Sequence, residues 1–370
     1  MGCSSRLLHV LVLSMLSILA VGPASADVIE GSNDSDNNSF TFPFWRGQLT
    51  GTADHDIIYG RAGHDLLYGR AGDDTLHGDE GPDRLYGELG DDWLAGGFGD
   101  RDSLHGGPGN DVYQIFDYED VVLERVGEGS DSVIATADFI LPPNVEALRL
   151  SPDPHDYSVI TPGNPAEIPV LFTDDCANHP GWTDPCRSIA RFGMGNALDN
   201  LVVGNGTDNV LLGLDGSDFI VGGDADDELD GGHGDDVLAG FVTNGSPWST
   251  ETDRLTGGEG ADLFVTGISG REGGLIDRLP SSLEIYEENE QFPQYLGQGS
   301  VDIMDFQRQE GDKIEVYGDI DDYFVEVGCA GACLVIFWDG TAEGHPYVEP
   351  IARVWNTHSI EDVVPAEDFL

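Results

Sequence analysis

Basic residues are scarce in this sequence: Lys and Arg total 16 against 69 Asp and Glu, and the formal net charge is −53. A surface so charged repels nucleic acid, anionic lipid and acidic polymers, which makes them poor direct partners, and it attracts divalent cations. Long apolar runs are missing beyond residue 26, so nothing there predicts a transmembrane segment. Catalytic signatures are missing too. No two histidines stand four residues apart, which removes the H-E-x-x-H pattern of zinc proteases, and there is no G-x-S-x-G nucleophile elbow. Acidic pairs such as Asp174-Asp175 and Asp321-Asp322 carry no glycosidase signal in a chain this acidic. The reading is of a protein that is not an enzyme.

The first 26 residues have the pattern of a secretory signal peptide. Arg6 supplies the positive start, Leu7 to Val21 the apolar run, and Ala24-Ser25-Ala26 the small-residue cleavage site. The mature chain is therefore expected to start near Asp27 and to be secreted. Beyond this leader four cysteines remain, Cys176, Cys186, Cys329 and Cys333. An even count in an exported chain predicts two disulfides. The most local of the three connectivities is Cys176–Cys186 with Cys329–Cys333.

What is abundant is glycine, 51 residues, and its spacing is regular. From Gly51 the chain reads GTADHDIIY, GRAGHDLLY, GRAGDDTLH, GDEGPDRLY, GELGDDWLA, GGFGDRDSLH and GGPGNDVYQ. A second array from Gly195 reads GNALDNLVV, GNGTDNVLL, GLDGSDFIV, GGDADDELD and GGHGDDVLA. Its next unit, from Gly240, carries an insertion but ends in phase at Asp253 and Leu255, and GGEGADLFV closes it. Position 6 is Asp56, Asp65, Asp74, Asp83, Asp92, Asp102 (taking Arg101 as the extra residue) and Asp111, then Asp218, Asp227, Asp236, Asp253 and Asp262. Position 8 is apolar throughout, as at Ile58, Leu67, Leu76 and Leu85. So strict a period predicts a repeat architecture.

The unit has a physical reading. Glycines permit positive φ, so six residues turn as a loop with carbonyls directed inward, and the last three form a short strand with its central side chain inside. Two units then close one coil of an all-β, parallel β-roll, a right-handed β-helix-like solenoid in two arrays with strand-rich flanks. Loops two units apart stack at about 4.8 Å, the strand spacing. This aligns the position-6 carboxylates in a like-charged column, repelling by about 0.9 kcal/mol per neighbouring pair even in water. One buried Leu per unit falls short of the entropy of ordering nine backbones. A hard cation between the loops reverses the balance, since Ca²⁺ takes about six to eight oxygens. The expected ligands of several Ca²⁺ ions are the position-6 aspartates above and the loop carbonyls of Gly60, Gly63, Gly69, Gly72, Gly78, Gly81, Gly87, Gly90, Gly213, Gly222, Gly231 and Gly234. Folding is then coupled to metal. His55 and His64, at loop position 5, are expected to face solvent.

These segments resemble the nonapeptide G-G-x-G-x-D-x-U-x of RTX (repeats-in-toxin), hemolysin-type calcium-binding proteins. GGPGNDVYQ and the segment from Asp120 to Leu150 resemble the strand-rich stretch that follows such arrays. GGEGADLFV with VDIMDFQRQEGDKIEV (Val301 to Val316) is similar to the non-catalytic C-terminal β-roll domain of serralysin-type metalloproteases. The ending HSIEDVVPAEDFL resembles chains exported by type I secretion. The resemblance implies an extracellular calcium-binding protein. Departures are local: Asn200 and Asn209 replace Asp, Asp54 and Ala225 replace the position-4 Gly, and Arg61, Arg70, Asp79 and Glu88 stand at position 2. The two Asn loops are expected to bind weakly or only to shape the roll.

The chain thus divides into a signal peptide (1–26), an N-terminal leader (27–50), the first array (51–114), a strand-rich connector (115–152), a disulfide-tied insertion (153–192), the second array (193–265) and a serralysin-like C-terminal β segment (266–370). Two other functions stay open at this point. One is a secreted enzyme acting on an extracellular polymer, with its site in 153–192 or 269–298. The other is a calcium-dependent adhesin or surface-matrix protein with a cell-surface or polysaccharide partner.

Overall fold

The computed structural model describes residues 27–31, 48–98, 101–151, 190–241, 251–266, 300–316, 323–329, 332–339 and 348–355. Outside them lie the leader at 1–26, nearly all of the 153–192 insertion with Cys176 and Cys186, the 269–298 insertion and the closing HSIEDVVPAEDFL. Among the described residues every named secondary-structure element is a strand. None of the described residues forms a helix long and apolar enough to cross a membrane.

Each unit places its strand at positions 7 to 9, where the apolar triplet lies, and successive units alternate between two facing sheets. Ile58 pairs with Leu76, Leu76 with Leu94 and Leu94 with Tyr113, all parallel. Leu67, Leu85 and Leu104 make the same ladder opposite. Two units therefore complete one coil of a parallel β-roll. The position-8 side chains meet between the sheets: Ile58, Leu67, Leu76, Leu85, Leu94, Leu104 and Tyr113 are wholly buried, as are Val202, Leu211, Ile220, Leu229, Leu238, Leu255 and Phe264. Position 9 adds ladders of stacked rings, with Tyr68 on Tyr86 at 4.9 Å and Tyr86 on His105 at 4.6 Å between centroids.

One sheet runs the length of the solenoid. Its 12 strands extend from Asp27–Glu30 to Lys313–Glu315. Strands Ser132–Ala135 and Ala147–Leu150 carry it across from Val112–Ile115 to Leu201–Val203, so the two arrays share a single sheet. The facing layer is split into a 5-stranded sheet ending at Val121–Val122 and a 9-stranded sheet starting at Phe139–Ile140. At the C-terminal end Tyr323–Gly328, Cys333–Asp339 and Val348–Trp355 form an antiparallel meander. A Cys329–Cys333 disulfide, with Cα atoms 5.4 Å apart, closes the first hairpin.

Turns that lead from the facing layer into the 12-stranded sheet lie along one edge of the solenoid, and turns that lead out of it lie along the other.

Candidate metal centre

The loops owe their shape to close approach between coils. Gly72, at position 4, has φ +106°, and a Cβ there would sit 2.6 Å from the Asp54 carbonyl carbon of the coil before. Position 1 is tight for another reason. A Cβ on Gly69 would sit 2.8 Å from the Gly87 carbonyl oxygen and overlap Asp74 Oδ2. The space beside the position-1 α-carbon is therefore lined by a carboxylate oxygen from its own loop and a carbonyl oxygen from the next coil. The same pairing recurs at Gly60, Gly78, Gly213, Gly222 and Gly231. The position-4 carbonyls of Gly63 and Gly72 face elsewhere, toward Gly81 and Gly90 of the next coil.

The position-6 aspartates form two columns. On the edge that leads into the long sheet the backbone N–H of Asp56 donates to Asp74 Oδ1 at 2.7 Å, Asp74 to Asp92 at 2.7 Å, Asp92 to Asp111 at 2.8 Å, Asp218 to Asp236 at 2.7 Å and Asp236 to Asp262 at 3.0 Å. On the other edge Asp65 donates to Asp83 at 2.7 Å, Asp83 to Asp102 at 2.8 Å and Asp227 to Asp253 at 2.9 Å. Each Oδ1 thus holds the coil before it. The insertion at Arg101 leaves Asp102 in its column.

The second oxygen has no such donor. Oδ2 of Asp74, Asp83, Asp92, Asp111, Asp218, Asp227, Asp236 and Asp262 is buried and meets no hydrogen. Burial pushes Asp83, Asp111 and Asp227 up to about 9, Asp92 to about 8, and Asp74, Asp218 and Asp262 to about 7. The backbone N–H bound to each carboxylate only partly offsets that. Eight orphaned oxygens among loop carbonyls make an all-oxygen environment that lacks a positive charge. A hard divalent cation fits it.

The two asparagines supply an internal comparison. Asn209 donates its N–H to Asp227 Oδ1 at 2.7 Å as the aspartates do, but its side chain donates to the coil before, the amide reaching the Ala190 carbonyl at 3.2 Å. The Asn200 amide likewise donates to the Val145 and Glu146 carbonyls, both at 3.3 Å. In both residues Oδ1 stands beside the position-1 glycine, where the aspartates place Oδ2, and accepts an N–H of its own loop, from Asn205 and Asn196 at 2.7 Å, so these two loops are satisfied without a buried charge.

Several column members escaped the sequence reading. Asp120 accepts from the N–H of Asp102 at 3.0 Å, Asp131 from Asp111 at 2.8 Å and Asp312 from Asp262 at 3.1 Å. Each lies two residues before a buried apolar residue (Val122, Val133 and Ile314), which is the Asp-x-apolar signature of the unit without its full set of glycines. Around Asp131 the signal is fuller, since Gly127, Gly129, Asp131 and Val133 match positions 2, 4, 6 and 8. His55 and His64 are exposed, as their loop position implies.

A two-faced parallel solenoid whose edges carry stacked, buried carboxylates is a metal-binding β-roll. Residues 48–76, 68–101, 86–113, 195–240 and 249–268 match the family of RTX calcium-binding nonapeptide repeats, four copies to the family unit. This chain carries RTX calcium-binding repeats on a parallel β-roll. In a comparison with curated proteins, none matched the chain.

Proposed function

We propose that this chain is an extracellular protein whose activity is to bind several calcium ions in its nonapeptide loops, and that its β-roll folds as it does so. One observation carries the reading: along both columns, one carboxylate oxygen of a buried aspartate grips the coil before it while the other faces loop carbonyls with no hydrogen between them. The proposed ligands are the position-6 aspartates from Asp56 to Asp111 and from Asp218 to Asp262, with position-1 carbonyls such as those of Gly69 and Gly87. Calcium, when bound, supplies the positive charge that this all-oxygen space lacks. The remaining work belongs to the chain: Oδ1 sets the spacing of the coils, position-1 glycines keep the space open, and the position-8 residues hold the two faces together.

Export is supported by the charge, apolar run and small-residue site of residues 1–26. Loops tuned for the extracellular range would bind with dissociation constants of about 10⁻⁴–10⁻³ M. The test is circular dichroism of the chain from Asp27 to Leu370, titrated with Ca²⁺ and, separately, with Mg²⁺. A cooperative gain of β signal with calcium alone is expected. A chain already fully folded in chelator would overturn the coupling of folding to metal.

A further inference from the structure

Among the described residues, three carboxylates converge where the first array ends. One ligand oxygen from each of Asp111, Glu124 and Asp131 lies within 4.8 Å of the other two. Glu124 and Asp131 fall between the repeat matches, which stop at residue 113 and resume at residue 195. The register explains the meeting. Val122 pairs with Leu104, so two residues further on Glu124 stands where Gly106 stands in the coil before. A carboxylate thus enters the space that glycine leaves open in the other loops. Asp131 occupies position 6 of the following loop and receives the Asp111 N–H at 2.8 Å.

Tyr113 holds Glu124 in place. It is wholly buried at the position where the other units of the first array carry Leu or Ile. Its hydroxyl accepts the Gly106 N–H at 2.7 Å and donates to one oxygen of Glu124. The other Glu124 oxygen meets no hydrogen, and neither does Asp111 Oδ2, on a residue of 0% exposure. Asp111 Oδ2 is aimed into the cluster, because a Cβ on Gly106 would run into both this oxygen and the Tyr113 hydroxyl. Arg125, next in the chain, pairs with Glu128 at 3.3 Å. A cleft of about 670 Å³, lined by Glu88, His105, Glu124, Arg125 and Glu128 among others, gives solvent a path to Glu124.

We propose that Asp111, Glu124 and Asp131 bind one further calcium ion at the seam between the two arrays. Glu124 adds a third side-chain carboxylate here, where the repeat loops set a glycine carbonyl beside their aspartates. Three hard oxygen donors with no nitrogen or sulfur select calcium over transition metals, and water entering from the cleft completes the six to eight oxygens it takes. The ion would tie the coil of Asp111 to that of Glu124 and Asp131, the last coil before the facing layer is split between Val122 and Phe139.

The proposal rests on the reading that the chain binds calcium, and the test separates the two. Bound calcium per chain is counted by equilibrium dialysis for wild type, Glu124→Gln and Asp131→Asn, with circular dichroism in saturating calcium as the fold control. Glu124→Gln keeps an acceptor for Tyr113, and Asp131→Asn keeps one for the Asp111 N–H. Each variant is expected to lose one ion per chain and to retain the wild-type β signal. An unchanged count in Glu124→Gln overturns the site. Loss of several ions together also overturns it, since Glu124 would then support the roll as a whole. A wild-type chain that binds no calcium sinks the proposed function itself.

Discussion

Asp56 and Asp74 stand one coil apart, and the Asp56 backbone N–H donates to Asp74 Oδ1 at 2.7 Å while the buried Asp74 Oδ2 meets no donor. That division of labour within one carboxylate runs through both arrays. It makes each aspartate a spacer and an anion at once, and the two roles can be separated by substitution.

Asp74→Asn removes the buried charge and keeps an oxygen that can accept the Asp56 N–H. It is expected to bind less calcium and to retain more β signal than wild type in chelator. Asp74→Ala removes both roles. In saturating calcium it should cost about 1–3 kcal/mol for the unsatisfied Asp56 N–H alone, before any loss of metal is counted. Urea unfolding in saturating calcium, with circular dichroism in chelator, distinguishes the two variants. A metal-free Asp74→Asn with no more β signal than wild type would contradict the reading of Asp74 as an uncompensated buried anion.

The metal-free roll should be an acid-stable fold. Its buried aspartates are raised from 3.8 to between about 6 (Asp236) and about 9 (Asp83, Asp227). The folded state therefore holds protons that the unfolded state releases, and stability is lost as pH rises from about 4 through those folded values. In chelator the β signal is expected to be greatest near pH 5 and to be lost toward pH 9. In saturating calcium that loss should disappear, because the ions displace those protons. A β signal that climbs with pH in chelator would refute the assignment.

Leu85 is wholly buried in the ladder between Leu67 and Leu104. Leu85→Ala is expected to cost about 2–5 kcal/mol through lost burial and the cavity left behind. Because each coil touches mainly its neighbours, thermal melts should show the first array weakened more than the second.

Two adjacent positions should respond in opposite directions. Arg70 sits at φ 85°, where L side chains are strained, so Arg70→Gly is expected to stabilise the calcium-loaded roll by up to about 1 kcal/mol. Gly69→Ala places a Cβ against Asp74 Oδ2 and the Gly87 carbonyl. It should destabilise by about 1–3 kcal/mol and remove calcium from that loop. Dialysis counts together with urea midpoints read both effects.

The sequence by itself determined the repeating unit. Glycine at the turn, Asp at position 6 and an apolar residue at position 8 act within nine residues. Their phase alone therefore dictates a parallel roll with aspartate on the edges and leucine between the sheets, and those position-8 residues are buried in both arrays. The tertiary structure decided what depends on register between coils, where partners stand 18 or more residues apart. It carried one sheet through Ser132–Ala135 and Ala147–Leu150, where the glycine pattern fades. It drew Asp120, Asp131 and Asp312 into the carboxylate columns and gave the Asn200 and Asn209 amides carbonyl partners. It also set Glu124 in the place of a glycine, between two aspartates that a linear reading keeps apart. Local pattern specifies a coil, but only stacking specifies which oxygens face one another across it.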